Sequence, residues 1–362
     1  MNELRKKGLR AYFSLKNLVD ISKLSVNALL KLFDALILPV VSYGCPIWLP
    51  NTWFIRQAVS DKLENQPQES LRKIASDPIE NLHLKFLKWI LGVHKKTTNV
   101  FCWGDTGRPP LVQKISKQAV DYFWRLEGMS SIRTDDLARH AFEEQKMLKL
   151  PWYESMSTLV CPTNASHQSR QQSQKGYAVR EELGKRFQTQ WEKVTADSSK
   201  MKTYQLFSGG FRREVYLDLL TGVDRKHLAR LRSSAHRLNV ESGRYENRAI
   251  PRNKQVYENK AWRQCCKICC QDNLELLLQL PSIEPAFIED ERHVLTVCPA
   301  YKHLRDELGE YAQETLQAWD NSLSTLFEEP YVKEIGSFIR KIFELRFPKR
   351  KDSKAANTTK GA

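Results

Sequence analysis

Apolar residues recur at helical spacing along most of this chain and strand-like alternation is scarce, so the pattern predicts a mainly α fold. Residues 3–17 and 23–38 read as two amphipathic helices. Leu9, Tyr12 and Phe13 carry the first, and Leu24, Leu29, Leu32, Phe33 and Leu36 carry the second. Asp20 and Ser22 supply cap chemistry between them. Pro39 lacks the amide that helix continuation needs and is expected to end the second helix. Val40–Gly44 then reads as an extended turn packing Tyr43 and Trp48. After a polar amphipathic stretch over 53–76, Pro78 opens a helix with Leu82, Phe86, Trp89, Ile90 and Val93 on its apolar side. Further helices are expected over 112–129, 134–148, 176–196, 212–220, 225–232, 300–319 and 330–346.

Between 155 and 175 Ser, Gln and Thr replace large apolar residues, which marks a break in the pattern. The expected organisation is therefore a helical region over 1–150, a Ser/Gln-rich linker over 151–176 and a helical C-terminal domain over 177–346. A basic tail over 347–362 has the composition of a disordered segment.

Composition narrows the function. With 362 residues, 41% of them hydrophobic, the chain can bury one large or two ordinary cores. Its most apolar stretch, 35–48, is interrupted by Pro39, Gly44 and Pro46, so no membrane partner is expected. The N-terminal text is helical and has no small-residue cleavage site, which predicts an intracellular protein of the nucleus or cytoplasm. A formal charge of +15, from 57 Lys and Arg against 42 Asp and Glu, favours a polyanionic partner.

Five of the eight cysteines crowd one region: Cys265, Cys266, Cys269, Cys270 and Cys298. Cys266 and Cys269 form a C-x-x-C pair, and His293 and Cys298 form an H-x4-C pair downstream. Two short-spaced pairs separated by a longer loop are a usual way for one chain to supply four N/S ligands to zinc. With no further ligand leaving an open position, the pattern predicts one closed, structural zinc in a module over about 263–305. Buried thiols and a helix-start histidine are the competing explanation, and Cys265 or Cys270 can replace one of the four. The acidic run Glu289-Asp290-Glu291 reads as the first turn of a helix in preference to outer partners of His293.

Two stretches resemble the C-terminal region of non-LTR (LINE-type) retrotransposon reverse transcriptases. The first runs from Leu32-Phe33-Asp34-Ala35-Leu36-Ile37-Leu38-Pro39-Val40 through Tyr43-Gly44 and Ile47-Trp48. It continues in Leu84-x-Phe86-Leu87-Lys88-x-Ile90-Leu91-Gly92-Val93, Thr97-Thr98-Asn99 and Trp103-Gly104-Asp105-Thr106-Gly107-Arg108-x-Pro110-Leu111, and it is similar to the polymerase thumb and the region just after the thumb. The second comprises Leu231-Arg232-x-Ser234-x-His236-x-Leu238-x-x-Glu241-x-Gly243-Arg244-Tyr245, Pro251-Arg252, the C-x-x-C pair, Glu289-Asp290-Glu291-x-His293 and Cys298-Pro299-x-Tyr301-x-x-Leu304-Arg305. It is similar to the family's terminal zinc-knuckle-like module. Residues 149–224 match little of the family, and Asn253–Gln264 reads as an insertion before Cys266.

The resemblance implies contacts to RNA or to a DNA template-primer. In the thumb-like part, Lys85, Lys88, Lys95, Lys96 and Arg108 are the candidates for touching phosphates. Arg232, His236, Arg244 and Arg252 are the candidates beside the zinc module. Polymerases need paired carboxylates for two metal ions, and the only Asp-Asp here, Asp135-Asp136, reads as a helix start capped by Thr134. The expectation is a fragment of such a protein, with its polymerase core encoded upstream, that binds nucleic acid without polymerase or endonuclease activity. A helical protein-interaction scaffold stapled by a structural zinc is the alternative.

Overall fold

A computed structural model describes residues 2–50, 66–129, 137–164, 172–242, 264–270 and 287–348. Among these residues every regular element is helical, and the only extended pairings are isolated bridges at Thr106–Arg213 and Cys265–Ile288. The mainly α fold is as the pattern predicts. The chain divides into two compact units, Met1–Asp218 and Leu219–Ala362.

In the first unit, α1 spans Asn2–Leu18 and α2 spans Val26–Leu32, with Ser25 capping α2 through the Ala28 amide. Pro39 does not end the helical path. The chain widens into a π turn over Phe33–Ile37, closed by the Leu38 amide on the Phe33 carbonyl, and α3 (Leu38–Val41) starts afresh with Pro39 in its first turn. Proline is tolerated there because first-turn amides have no intrahelical acceptor. Val40–Gly44 is accordingly helix and turn, not an extended segment. Tyr43 is 78% exposed instead of packed, and its carbonyl accepts from Trp48 Nε1 at the end of α4 (Cys45–Trp48).

Helices α5 (Pro67–Ser76) and α6 (Pro78–Leu91) follow, the latter capped by Asp77 and stopped by Gly92 in the left-handed region. Gly8 is what lets α1 lie against α6, since a Cβ there would stand 2.8 Å from Leu82 Cδ2. After α7 (Asn99–Asp105), α8 (Leu111–Glu127), α9 (Leu137–Met147) and α10 (Pro151–Asn164) comes the longest helix, α11 (Gln172–Asp197). The stretch read as a linker is thus helical on both sides of 165–171, and those seven positions lie outside the described residues, as do 134–136 and the tail from 349. Tertiary packing supplies the reason. Met156, Leu159 and Val160 bury α10 against its neighbours, and beyond the linker Val179, Leu183, Phe187, Trp191 and Val194 recur at three- or four-residue steps in α11, as expected for a helix over 176–196, where it runs along α8. Helix α12 (Lys202–Phe207) closes back on this layer, with Tyr204 edge-on to Phe101. The predicted helix over 212–220 shrinks to a turn at Tyr216–Leu219, because Arg213 is engaged in the bridge to Thr106.

In the second unit α13 (Gly222–Arg232) packs on α17 (Val332–Arg346), burying Leu228 and Leu231 with Ile335, Ile339 and Ile342. Arg340 Nε meets Asp224 Oδ1 at 2.6 Å between these helices. Between them along the chain come a single turn at Asn239–Ser242, α14 (Lys267–Cys270), α15 (Lys302–Arg305) and α16 (Glu310–Ala318). The predicted single helix over 300–319 is divided, with Gly309 taking an extended conformation as the N-cap of α16.

Candidate metal centre and basic surface

Backbone pairing brings the two halves of the cysteine–histidine pattern together. The Cys266 amide donates to the Phe287 carbonyl at 2.8 Å, and the Glu289 amide donates to the Gln264 carbonyl at 2.8 Å. This short antiparallel contact sets the start of α14 beside the segment leading to His293. Within α14, one helical turn carries Cys269 back to the side of Cys266.

The H-x4-C half needs a different device. In an α-helix, residues five apart point about 140° away from each other. Here His293–Val297 forms a π turn, closed by the Cys298 amide on the His293 carbonyl at 2.8 Å, and the extra residue in the turn returns Cys298 to the side of His293. The result is a cluster of three sulfurs and one nitrogen whose ligand atoms all lie within 4.8 Å of one another. Cys266 Sγ is 3.9 Å from Cys298 Sγ, Cys269 Sγ is 3.7 Å from Cys298 Sγ, and Cys269 Sγ is 3.3 Å from His293 Nε2. Cys266, Cys298 and His293 are buried and Cys269 is partly exposed. These four residues form a possible metal-binding site. The hydrogen bond with Cys298 draws the Cys266 thiol far below its ordinary range, against the effect of burial and with help from His293, and Cys298 moves upward as it keeps the shared proton. Cys265, next in sequence, is buried but does not belong to the cluster; the Cys270 side chain is not described.

The acidic run before His293 is a helix start, as expected, but its three carboxylates do three separate things. Asp290 Oδ1 accepts from the His293 amide at 2.8 Å and caps the turn. Glu289, fully buried, receives Arg346 Nε at 2.6 Å, Arg346 Nη2 at 3.0 Å and the Asn239 amide at 2.8 Å. Glu291 receives His236 Nε2 at 2.8 Å and Ser234 Oγ at 2.7 Å. Burial raises the Glu291 carboxyl, yet His236 and Ser234 together outweigh it and hold it below the usual carboxylate range. The Leu231-to-Glu241 motif therefore acts as a bracket for the ligand segment, and Asn239 Nδ2 extends it by donating to the Cys265 carbonyl.

That bracket places two sequence candidates for nucleic-acid contact in the interior. Arg232 is fully buried, its guanidinium 5.3 Å from the Phe327 ring centroid, and the His236 side chain is fully covered. A phosphate cannot reach either without opening the unit. Their hydrogen-bonding and ring partners lie far along the chain, which is why local spacing pointed outward instead. Arg244 and Arg252 lie outside the described residues.

The first-unit candidates divide similarly. Lys85, Lys95 and Lys96 are exposed. Lys88 is half-buried, which lowers its affinity for its proton, and its Nζ donates to the Lys95 carbonyl at 3.0 Å, so it ties the basic turn to the end of α6. Arg108 grips Asp34 through two nitrogens at 2.9 and 2.5 Å, with Lys114 also on Asp34 at 3.0 Å. Its neighbours are equally committed. Trp103 Nε1 donates to Glu80, Asp105 accepts from the Tyr216 hydroxyl, and Gly107 adopts a positive φ where a Cβ would strike the Arg213 backbone. Sequence reasoning missed Glu80, the buried acceptor for Trp103, His83 and the Leu111 amide. Its signal was a lone carboxylate at the head of an otherwise apolar helix face.

The Arg108–Asp34 pair gives a check. Burial pushes the Asp34 carboxyl up, but the hydrogen bonds and charges of Arg108 and Lys114 outweigh it and leave it below the ordinary range. A depressed folded value means that the stabilisation is complete above the unfolded carboxylate's pKa of roughly 3.9 and is lost as pH falls through the lower folded value. Arg108→Ala is expected to cost about 1–3 kcal/mol near neutrality and much less in acid. Urea denaturation of Arg108→Ala, Asp34→Ala and the double variant at both pH values measures it; equal costs at both would place the stabilisation elsewhere.

No protein family, characterised protein or solved structure matches the chain. Among the described residues no helix is long and apolar enough to cross a membrane.

Proposed function

We propose that this chain is a nucleic-acid-binding C-terminal region of the LINE-type reverse-transcriptase kind, with a structural zinc in its second unit and no polymerase centre of its own. The observation that carries the reading is the convergence of Cys266, Cys269, His293 and Cys298 from two separated half-motifs. With zinc–sulfur bonds of about 2.3 Å and a zinc–nitrogen bond of about 2.0 Å, a tetrahedron has S···S edges of about 3.8 Å and S···N edges of about 3.5 Å. The spacings of 3.9, 3.7 and 3.3 Å follow those edges and exclude a disulfide, whose sulfurs stand about 2.05 Å apart. Zinc would take Cys266, Cys269 and Cys298 as thiolates and His293 through Nε2. With all four positions filled by protein, it would supply folding energy and no open site for chemistry.

The nucleic-acid part rests on the charge of +15 and on the exposed cations Lys85, Lys95 and Lys96. Phosphate contacts release counterions, so affinity for RNA or primer-template should fall steeply as salt rises. The expected result is binding at low salt that weakens about tenfold or more between 50 and 200 mM. Titration of the full chain against a labelled hairpin RNA and a primer-template, with total metal measured on the same sample, tests both parts. Absence of binding to either at low salt refutes the partner, and folded protein without zinc refutes the metal.

A further inference from the structure

Helix α1 carries Arg5, Lys6, Lys7, Arg10 and Lys16 against a single carboxylate, Glu3. On this cationic helix Phe13 is 45% exposed, an apolar ring that the core does not enclose. Arg10 and Lys16 stand three residues to either side of it and are therefore its neighbours on the helix surface. Helix α6 completes the surface from the other side. Lys85 Nζ lies 4.6 Å from the Phe13 centroid and 5.6 Å from the Tyr12 centroid, and the half-buried Trp89 meets Tyr12 edge-on at 5.8 Å. Tyr12 and Phe86 are buried beneath, packed edge-on against each other.

Cations alone would suit any polyanion. The ring changes which one. In a duplex the bases are already stacked, and the outer surface offers phosphates that need no aromatic partner. A single strand offers unstacked base faces together with phosphates, and interleaved aromatic and basic side chains match both. Building on the nucleic-acid reading above, we infer that the α1–α6 ledge is a single-strand site, with a base stacking on Phe13 as the Lys85 ammonium over that ring swings to a neighbouring phosphate, held also by Arg10 and Lys16. None of these contacts uses Lys88 or Arg108, which the fold already occupies.

The full chain is titrated with a fluorescein-labelled oligouridylate and with a blunt RNA duplex of the same length, at several salt concentrations. The oligouridylate should bind more tightly than the duplex. Phe13→Ala should weaken the single strand about tenfold, leave the duplex unchanged and keep the salt slope, whereas Phe13→Tyr should retain binding. Lys85→Gln should instead reduce the single-strand salt slope by about 0.7. Equal or tighter binding of the duplex, or a Phe13→Ala variant that binds the oligouridylate as wild type does, overturns the single-strand site while leaving nucleic-acid binding intact. Polyglutamate competing as effectively as the oligouridylate also overturns it, in favour of an acidic protein partner. If wild type binds neither nucleic acid, the parent reading falls as well.

Discussion

Replacing Cys298 with serine is expected to strip the metal from the protein and to release the segment 287–305, together with the last turn of α17. Among the described residues the backbone ties of this module are mostly short-range: two hydrogen bonds join Gln264–Cys266 to Phe287–Glu289, the Val240 amide reaches the Glu289 carbonyl, and the rest close turns such as the π turn. Structural zinc in small modules supplies about 10–16 kcal/mol of apparent binding free energy near neutral pH, far more than such bonds return. Cys298 Sγ lies 3.9 Å from Cys266 Sγ and 3.7 Å from Cys269 Sγ, so its loss leaves a tetrahedral metal only three protein ligands. Release should travel outward through Glu289, which anchors Arg346, and Glu291, which holds His236. Metal content by atomic emission should fall from about one per chain to near zero. Hydrogen exchange should show lost protection over 287–305 and retained protection in α8 and α11. Cys265→Ser, outside the four-atom cluster, should keep the metal. A Cys298→Ser protein with full zinc and unchanged exchange would end the assignment.

Glu80→Ala is the second large effect, in the first unit. Glu80 is 3% exposed, and each of its carboxylate oxygens is used. Oε1 faces Trp103 Nε1 at 2.8 Å and His83 Nδ1 at 2.9 Å, while Oε2 accepts the Leu111 amide at 2.7 Å. Truncation leaves donors from three separate elements buried without an acceptor and opens a void beneath Trp103. A buried donor left without an acceptor typically costs about 1–3 kcal/mol, so with several of them a loss of about 3 kcal/mol or more is expected in urea denaturation. Glu80→Gln separates charge from shape. An amide nitrogen at either oxygen position confronts a donor, so most of the loss should persist, although the volume is kept. A Glu80→Gln protein as stable as wild type would show that shape alone matters there.

Local patterns were legible where the cause was local. The C-x-x-C and H-x4-C pairs are each made within a turn, and the Pro78 helix, with its Asp77 cap and Gly92 stop, contains its own signals. What escaped reading depends on distant partners. Pro151–Asn164 looks polar around Ser and Thr, yet α8, α9 and α11 supply the surfaces that bury Met156, Leu159 and Val160 and make it a helix. Arg232 and His236 have the composition of a binding edge, and distant partners such as Phe327 and Glu291 turn them inward. Pro39 obeyed its rule on amides, but the π turn before it satisfied that rule without stopping the chain.

The π turn at His293–Val297 makes the tolerance of this site to length changes lopsided. Losing one residue between His293 and Cys298 leaves a four-residue step, which an ordinary α turn already brings to one side, so the pair can be recovered by tightening. Gaining one finds no wider regular turn to adopt, because i→i+5 bonding is the loosest of the helical family. Descendants of this sequence should therefore drift toward shorter spacings at this pair and never toward longer ones.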